Sequence, residues 1–273
     1  MSQRNDADAP SVARRGTTPS GVGRRRLFGL AGTSVAAGLL PLPALAQARM
    51  PAPKAIAFDA FVTFDPRPVF ALAEELFPGK GAALSNLWRI RQFEYTWLRV
   101  LVGRYADFWQ VTEEALIFAA KASAVDLTAD KRERLMGAYL QLKAHPDVLP
   151  ALRTLRAAGV RLAFLSNMTA RMLHAAISSA GLDGLFEHVL STDQVRTYKP
   201  DPRAYQLAVD AFGLHREEIV FAAFGGWDAA GAKAFGYPTF WANRLKLPPE
   251  ELGLAPDVTS DNLADLVKFV VPG

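Results

Sequence analysis

A chain of 273 residues has room for one large domain or two small ones. With half of its residues apolar and 21% charged, it is neither collagen-like, mucin-like nor disordered throughout. The formal charge of +4 would ordinarily point to nucleic acid or anionic lipid, but the excess is local: residues 1–48 hold six Arg and two Asp, leaving 25 basic and 25 acidic residues beyond them. Nucleic-acid binding loses its support, and the absence of Cys excludes disulfides, thiol nucleophiles and Cys-based zinc or iron–sulfur centres.

Residues 1–48 read as a cleaved export signal. A polar stretch leads to Arg24-Arg25-Arg26-Leu27-Phe28, and no further charge appears until Arg49. The apolar run between is diluted by Gly29, Gly32 and Gly38, stopped by Pro41 and Pro43, and followed by the small residues Ala44-Leu45-Ala46-Gln47-Ala48. A basic start, a short apolar centre and an Ala-x-Ala site make a secretory signal, cut after Ala46 or Ala48. Arg25, Arg26 and Phe28 resemble a twin-arginine signal, which implies the twin-arginine export machinery as a partner and the periplasm as destination. A transmembrane anchor would need about 20 apolar residues, and the prolines and glycines argue against one.

The sequence after the signal predicts an α/β fold. Lys54-Ala55-Ile56-Ala57-Phe58 is an apolar run of buried-strand type that ends at Asp59. Residues 66–145 read as helices, with apolar positions recurring at three and four through 69–76, 84–101, 106–122 and 135–142; Thr128-Ala129-Asp130 is a start signal for the last. From Pro146 the pattern alternates: helix 148–158, strand 160–165, helix 170–180, strand 188–190 and helix 202–212. Strands at 219–223, 237–242 and 257–259 follow, with helices after the first and third. Such alternation implies a parallel sheet covered on both faces. The expected organisation is therefore a Rossmann-like core of residues 49–65 and 146–273, with a helical cap of residues 66–145 inserted after the first strand. There are no internal repeats and no Gly-rich dinucleotide fingerprint.

Ligands of open parallel sheets bind outside the carboxyl ends of the strands. The polar residues leaving the strands are Asp59 and Thr63, then Ser166-Asn167, then Lys199 before Pro200-Asp201, then Asp228. Each alone has a bland reading. Asp59 would cap a turn, Ser166-Asn167 would start a helix, Lys199 would be a solvated surface lysine, and Asp228 would complement a helix dipole. Their joint order carries the weight.

That order resembles the haloacid dehalogenase superfamily. The strings FDAFVTFD, LSN, YKPDPRAY and WDAAGAKAFGYPTFW resemble its type II L-2-haloacid dehalogenase branch, as does the cap helix LWRIRQFEYTWLR. The resemblance runs from about Lys54 to the C-terminus. It implies hydrolytic removal of halide from a small 2-haloacid, (S)-2-haloacid and water giving (R)-2-hydroxyacid and halide, without cofactor or metal, and it implies a homodimer. Asp59 would be the nucleophile, since a carboxylate displacing halide leaves an ester on the enzyme, and Lys199 would keep it ionised. Arg89 and Asn167 would receive the halide. Ser166 would hold the substrate carboxylate beside backbone N–H groups, Thr63, Tyr205 and Phe61 would be further site positions, and Asp228 would serve the hydrolytic water. Phosphatases of the superfamily carry an Asp two positions after the nucleophile, as acid and magnesium ligand. Phe61 stands there and can do neither, whereas a departing halide needs no proton.

Three departures bear on the second chemical step. Val62 replaces a turn glycine, a costly change if its φ is positive. Ala223 replaces a Ser that supports the lysine, and Gly225 an Asn that helps place water. Two other readings stay open: another hydrolase of the superfamily acting on a small acid, or an impaired protein that holds a small anion. Asp65, six residues after Asp59, is expected to start the cap rather than act as a second acid. The other cap aromatics are read as core, and His145, His174, His188 and His215 receive no role.

Overall fold

β1 (Ala55–Phe58) is four apolar residues, none of which reaches solvent. It is short and continuous because it is covered on both faces and needs no polar alternation. The computed structural model describes residues 52–271, so the export signal lies outside the described residues. β1 pairs with β4 (Arg161–Ser166) on one side and β6 (Ile219–Ala223) on the other. With β5 (His188–Ser191), β7 (Thr239–Ala242) and β8 (Val258–Ser260), these form one parallel sheet ordered β5-β4-β1-β6-β7-β8. The chain builds outward from β1 through β4 and β5, then returns to lay down β6, β7 and β8 on the other side. The order therefore reverses beside β1, and the crevice at the strands' carboxyl ends opens there.

Helices cover both faces. α6 (Val148–Ala157) and α10 (Leu263–Val270) pack together, and α7 (Ala170–Ser179), α8 (Pro202–Phe212) and α9 (Gly226–Phe235) complete the layers. Local sequence dictates the ends of α8. Asp201 accepts from the Arg203 N–H, Pro202 sits where no N–H is needed, and Gly213 stops the helix at φ 63°.

Between Asp65 and α6 lie four further helices: α2 (Arg67–Leu76), α3 (Gly81–Leu101), α4 (Phe108–Ala122) and α5 (Ala129–Ala138). α3 turns Leu84, Trp88, Gln92 and Thr96 inward at four-residue spacing. Two of its buried polar groups are matched by α4: Trp88 Nε1 donates to the Thr112 carbonyl at 2.8 Å, and Gln92 donates to Thr112 Oγ1 at 2.6 Å. Thr128 caps α5 by accepting from the Lys131 N–H. α5 stops at Ala138 rather than near residue 142, and the chain runs on to Lys143–Ala144, which pair with Phe64–Asp65, while Leu142 stays buried.

Two small elements at the neck of this helical segment have no periodic signature in the sequence. α1 (Ala60–Thr63) is a single helical turn after Asp59. β2 (Phe64–Asp65) pairs antiparallel with β3 (Lys143–Ala144), so the helices leave and rejoin the fold at one place. Phe64 anchors that ribbon by stacking on Phe164, with centroids 5.3 Å apart.

Candidate active site

Asp59 follows β1 and its carboxylate is held at two points. Oδ1 accepts the Phe61 N–H at 3.1 Å, and Oδ2 accepts Lys199 Nζ at 2.9 Å. Lys199 is wholly buried, the opposite of a solvated surface lysine. Its ammonium also donates to Asp228 Oδ2 at 2.6 Å and lies 4.9 Å from the centroid of the Phe221 ring. Two carboxylates and a ring face occupy the ammonium, so the hydroxyl missing at Ala223 leaves it with no want of partners. Burial alone would lower the Lys199 pKa, but the charges of Asp228 and Asp59 and their hydrogen bonds reverse this and raise it. Lys199 is therefore a fixed cation between two carboxylates.

Asp228 lies in the first turn of α9 with 1% exposure. Its Oδ1 accepts the Tyr205 hydroxyl at 2.7 Å. Burial pushes its pKa up to about 6, against the lowering influence of Lys199 and with further help from the Asp59 charge. A carboxylate poised there can accept a proton near neutral pH.

The loop after β4 supplies two more groups. Ser166 Oγ accepts the Met168 N–H at 3.1 Å. Asn167 Oδ1 accepts the Lys199 backbone N–H at 3.0 Å, an assignment forced by the donor, so its amide NH2 turns elsewhere and has no partner among the described residues. Thr169, not Ser166, caps α7 by accepting from Met172. The pair thus stands free of the helix start.

Asp59, Phe61, Arg89, Ser166, Asn167 and Asp228 all line one cavity of about 280 Å³. Arg89 comes from α3, is half-buried, and pairs with no carboxylate among the described residues. It also borders a second cavity of about 460 Å³, together with Phe224 and Leu245. Asp65 lines that second space, bonded to Arg67, so it is remote in role from Asp59. Among the described residues, no cluster of three His or acidic side chains is arranged to hold a metal ion.

Three placements differ from what the sequence led one to expect. Thr63 lines no part of the cavity; one helical turn beyond Asp59 it is fully buried, and its hydroxyl has no partner among the described residues. Tyr205 is also fully buried and outside the cavity lining, beneath Asp228, whose carboxylate accepts its hydroxyl. The cap aromatics Phe93, Trp97 and Phe108, read as core, do line the cavity. A signal for two of them was present: Arg89, Phe93 and Trp97 recur every four residues, one position along α3 from the buried stripe. Val62 carries no strain, because it lies within the right-handed turn of α1 and is not among the positive-φ residues.

A parallel α/β sheet with a carboxylate at the end of its first strand, bridged by a buried lysine to a second carboxylate, defines a hydrolase class, and the chain belongs to the haloacid dehalogenase-like hydrolases, whose family model matches residues 53–236. Among its relatives, the (S)-2-haloacid dehalogenase of Pseudomonas sp. (strain YL) is 45% identical over 217 residues, covering 79% of this chain and 94% of that protein. The crystal structure of the L-2-haloacid dehalogenase RSc1362 superposes with a TM-score of 0.79 at 47% identity, covering 80% of this chain and 99% of the other. The L-2-haloacid dehalogenase of Xanthobacter autotrophicus, in a structure with chloropropionic acid covalently bound, superposes with a TM-score of 0.75 at 33% identity, covering 80% and 98%.

Proposed function

We propose that this protein is a hydrolytic (S)-2-haloacid dehalogenase acting through an ester on Asp59. The observation that carries the reading is the Asp59–Lys199–Asp228 chain beneath a cavity that also presents Arg89 and the free amide of Asn167. An Asp59 oxygen attacks C2 of the substrate from the face opposite the halide. The C–halogen bond breaks with its electron pair, and the halide leaves toward the guanidinium and amide donors. Lys199 donates to Oδ2 of Asp59 and so holds the carboxylate in place as the nucleophile. Water then attacks the ester carbonyl while Asp228 takes its proton. The tetrahedral intermediate expels the 2-hydroxyacid, which recovers a proton, and Asp59 is restored. Inversion occurs only in the first step, so an (S)-haloacid gives an (R)-hydroxyacid.

Phe61 offers the cavity a hydrocarbon ring where a metal-dependent hydrolase would present a carboxylate. Chloride release from (S)-2-chloropropanoate, unchanged by a chelator, is the test. Magnesium-dependent release of phosphate from an aryl phosphate, with no chloride, would reject the reading.

The raised pKa of Asp228 gives a pH signature. A carboxylate whose pKa stands at about 6 with Asp59 charged titrates lower once Asp59 is a neutral ester, because the charge that helped raise it is gone and Lys199 remains, so ester hydrolysis should hold through pH 6 and fall toward tenfold per unit only at lower pH. Single-turnover decay of the ester between pH 4.5 and 8 measures this, and a flat profile would remove Asp228 as the base.

The same reading carries export. The Arg25-Arg26 pair before a weakly apolar run supports passage to the periplasm by the twin-arginine route. Replacing both with Lys should leave full-length precursor in the cytoplasm, whereas unchanged export would reject that route. A homodimer is the assembly this reading carries. Leu98, Leu101 and Val102 at the end of α3 support it by leaving 50%, 82% and 65% of their surface exposed; light scattering of a monomer would discard it.

A further inference from the structure

Resting on the dehalogenase reading, we propose that the site is built for 2-haloacids bearing an aryl or similarly bulky apolar group at C3, and that it disfavours a second carboxylate. The groups that would bind the reacting end, Asp59, Arg89, Ser166 and Asn167, account for only part of the lining. Most of the remainder is aromatic or aliphatic. Trp227 meets Phe93 and Trp97 edge-on at 5.3 and 5.5 Å, and Phe61 lies 6.0 Å from Phe224. The cavity of about 280 Å³ would hold roughly nine waters at about 30 Å³ each, whereas 2-chloropropanoate has only six heavy atoms. A small acid would leave most of that apolar wall wet.

Gly225 is the residue that permits this wall. A Cβ there would fall 2.7 Å from Trp227 Nε1, so any side chain would push the indole off the backbone it lies against. The position that offers no amide to a water thus seats an aromatic ring instead. Ile90, Leu245 and Leu247 extend the apolar lining outward while about half exposed themselves, surface that a bulky substituent would cover.

An unpaired carboxylate stands at the rim. Glu250 lines the cavity beside Gly226 and has no cationic partner among the described residues. Glu94 lines it too, paired with Arg91. A second carboxylate on the substrate would meet that charge, whereas a phenyl ring would not.

Halide release from (S)-2-chloro-3-phenylpropanoate, (S)-2-chloropropanoate and 2-chlorosuccinate tests the proposal. The phenyl compound should show a kcat/KM at least tenfold above chloropropanoate, with chlorosuccinate lowest. Phe93→Ala should lower the phenyl-to-methyl ratio about tenfold, mainly through KM, and Glu250→Gln should raise the chlorosuccinate-to-chloropropanoate ratio several-fold. A phenyl compound processed no better than chloropropanoate, or a preference for the diacid, overturns the proposal and leaves the dehalogenase reading standing. No halide from any of the three defeats that reading instead. Calorimetry then decides the pocket: (R)-3-phenyllactate should bind at least tenfold tighter than (R)-lactate, and equal affinities overturn it.

Discussion

Enzyme mixed with an (S)-2-haloacid and quenched within the first turnovers is expected to carry the acyl-chain mass on Asp59, with halide appearing as a burst of about one equivalent per site. Displacement has everything it needs, since the buried Lys199 ammonium holds the Asp59 carboxylate and donors stand ready at Arg89 and Asn167. Hydrolysis has less. Asp228 can take the proton, but both its oxygens are already engaged, by Lys199 and Tyr205, and Gly225 has no side chain with which to aim the water. Losing about 2–3 kcal/mol of positioning would slow that step roughly 30- to 150-fold. Intact mass spectrometry reads the adduct, which should vanish in Asp59→Asn along with halide release, a loss of about 10⁴- to 10⁶-fold for removal of a nucleophile. Linear halide release with no adduct would mean that other groups place the water.

Lys199→Met should damage activity and stability together. The substitution keeps the volume but leaves Asp59 and Asp228 facing each other in a buried site without the cation between them. Two such carboxylates cannot both stay charged. At neutral pH the pair would share a proton, and a protonated Asp59 is no nucleophile. Displacement should fall by about 10³-fold or more, and the residual rate should climb with pH well above the wild-type range as that proton is removed. Breaking a buried ion pair from one side costs about 3–5 kcal/mol, which urea denaturation would register. A variant with wild-type stability and an unshifted pH profile would show that the ammonium does not hold the two carboxylates.

How much of this was legible in the sequence depends on how local each signal is. Strand ends were readable because a buried parallel strand is an apolar run and its carboxyl end is where the run stops. Asp59 after Phe58 and Ser166 at the end of β4 therefore belong to one edge on the sequence alone. Helix limits set by neighbouring residues were equally plain, as with Asp201, Pro202 and Gly213 around α8. The two-residue ribbon of β2 and β3 was not, since so short a pair has no period to detect.

The local sequence fixed which residue types leave each strand, and hence the chemistry on offer: carboxylates, one lysine, an amide, and a phenylalanine where a metal-binding acid would stand. Only the tertiary structure decided how those residues work. Lys199 lies 140 residues from Asp59 and 29 from Asp228, and nothing beside it in the chain distinguishes it from a surface lysine. Its burial follows from its place among Asp59 at the end of β1, Phe221 of β6 and Asp228 of α9. Tyr205 became a support for Asp228, and Thr63 a buried side chain, because packing rather than sequence spacing sets which face a helical residue presents. The aromatic wall was settled the same way: Phe93 and Trp97 have apolar side chains that suit a core as well as a cavity, and only the seating of α3 over the sheet turns them toward Asp59.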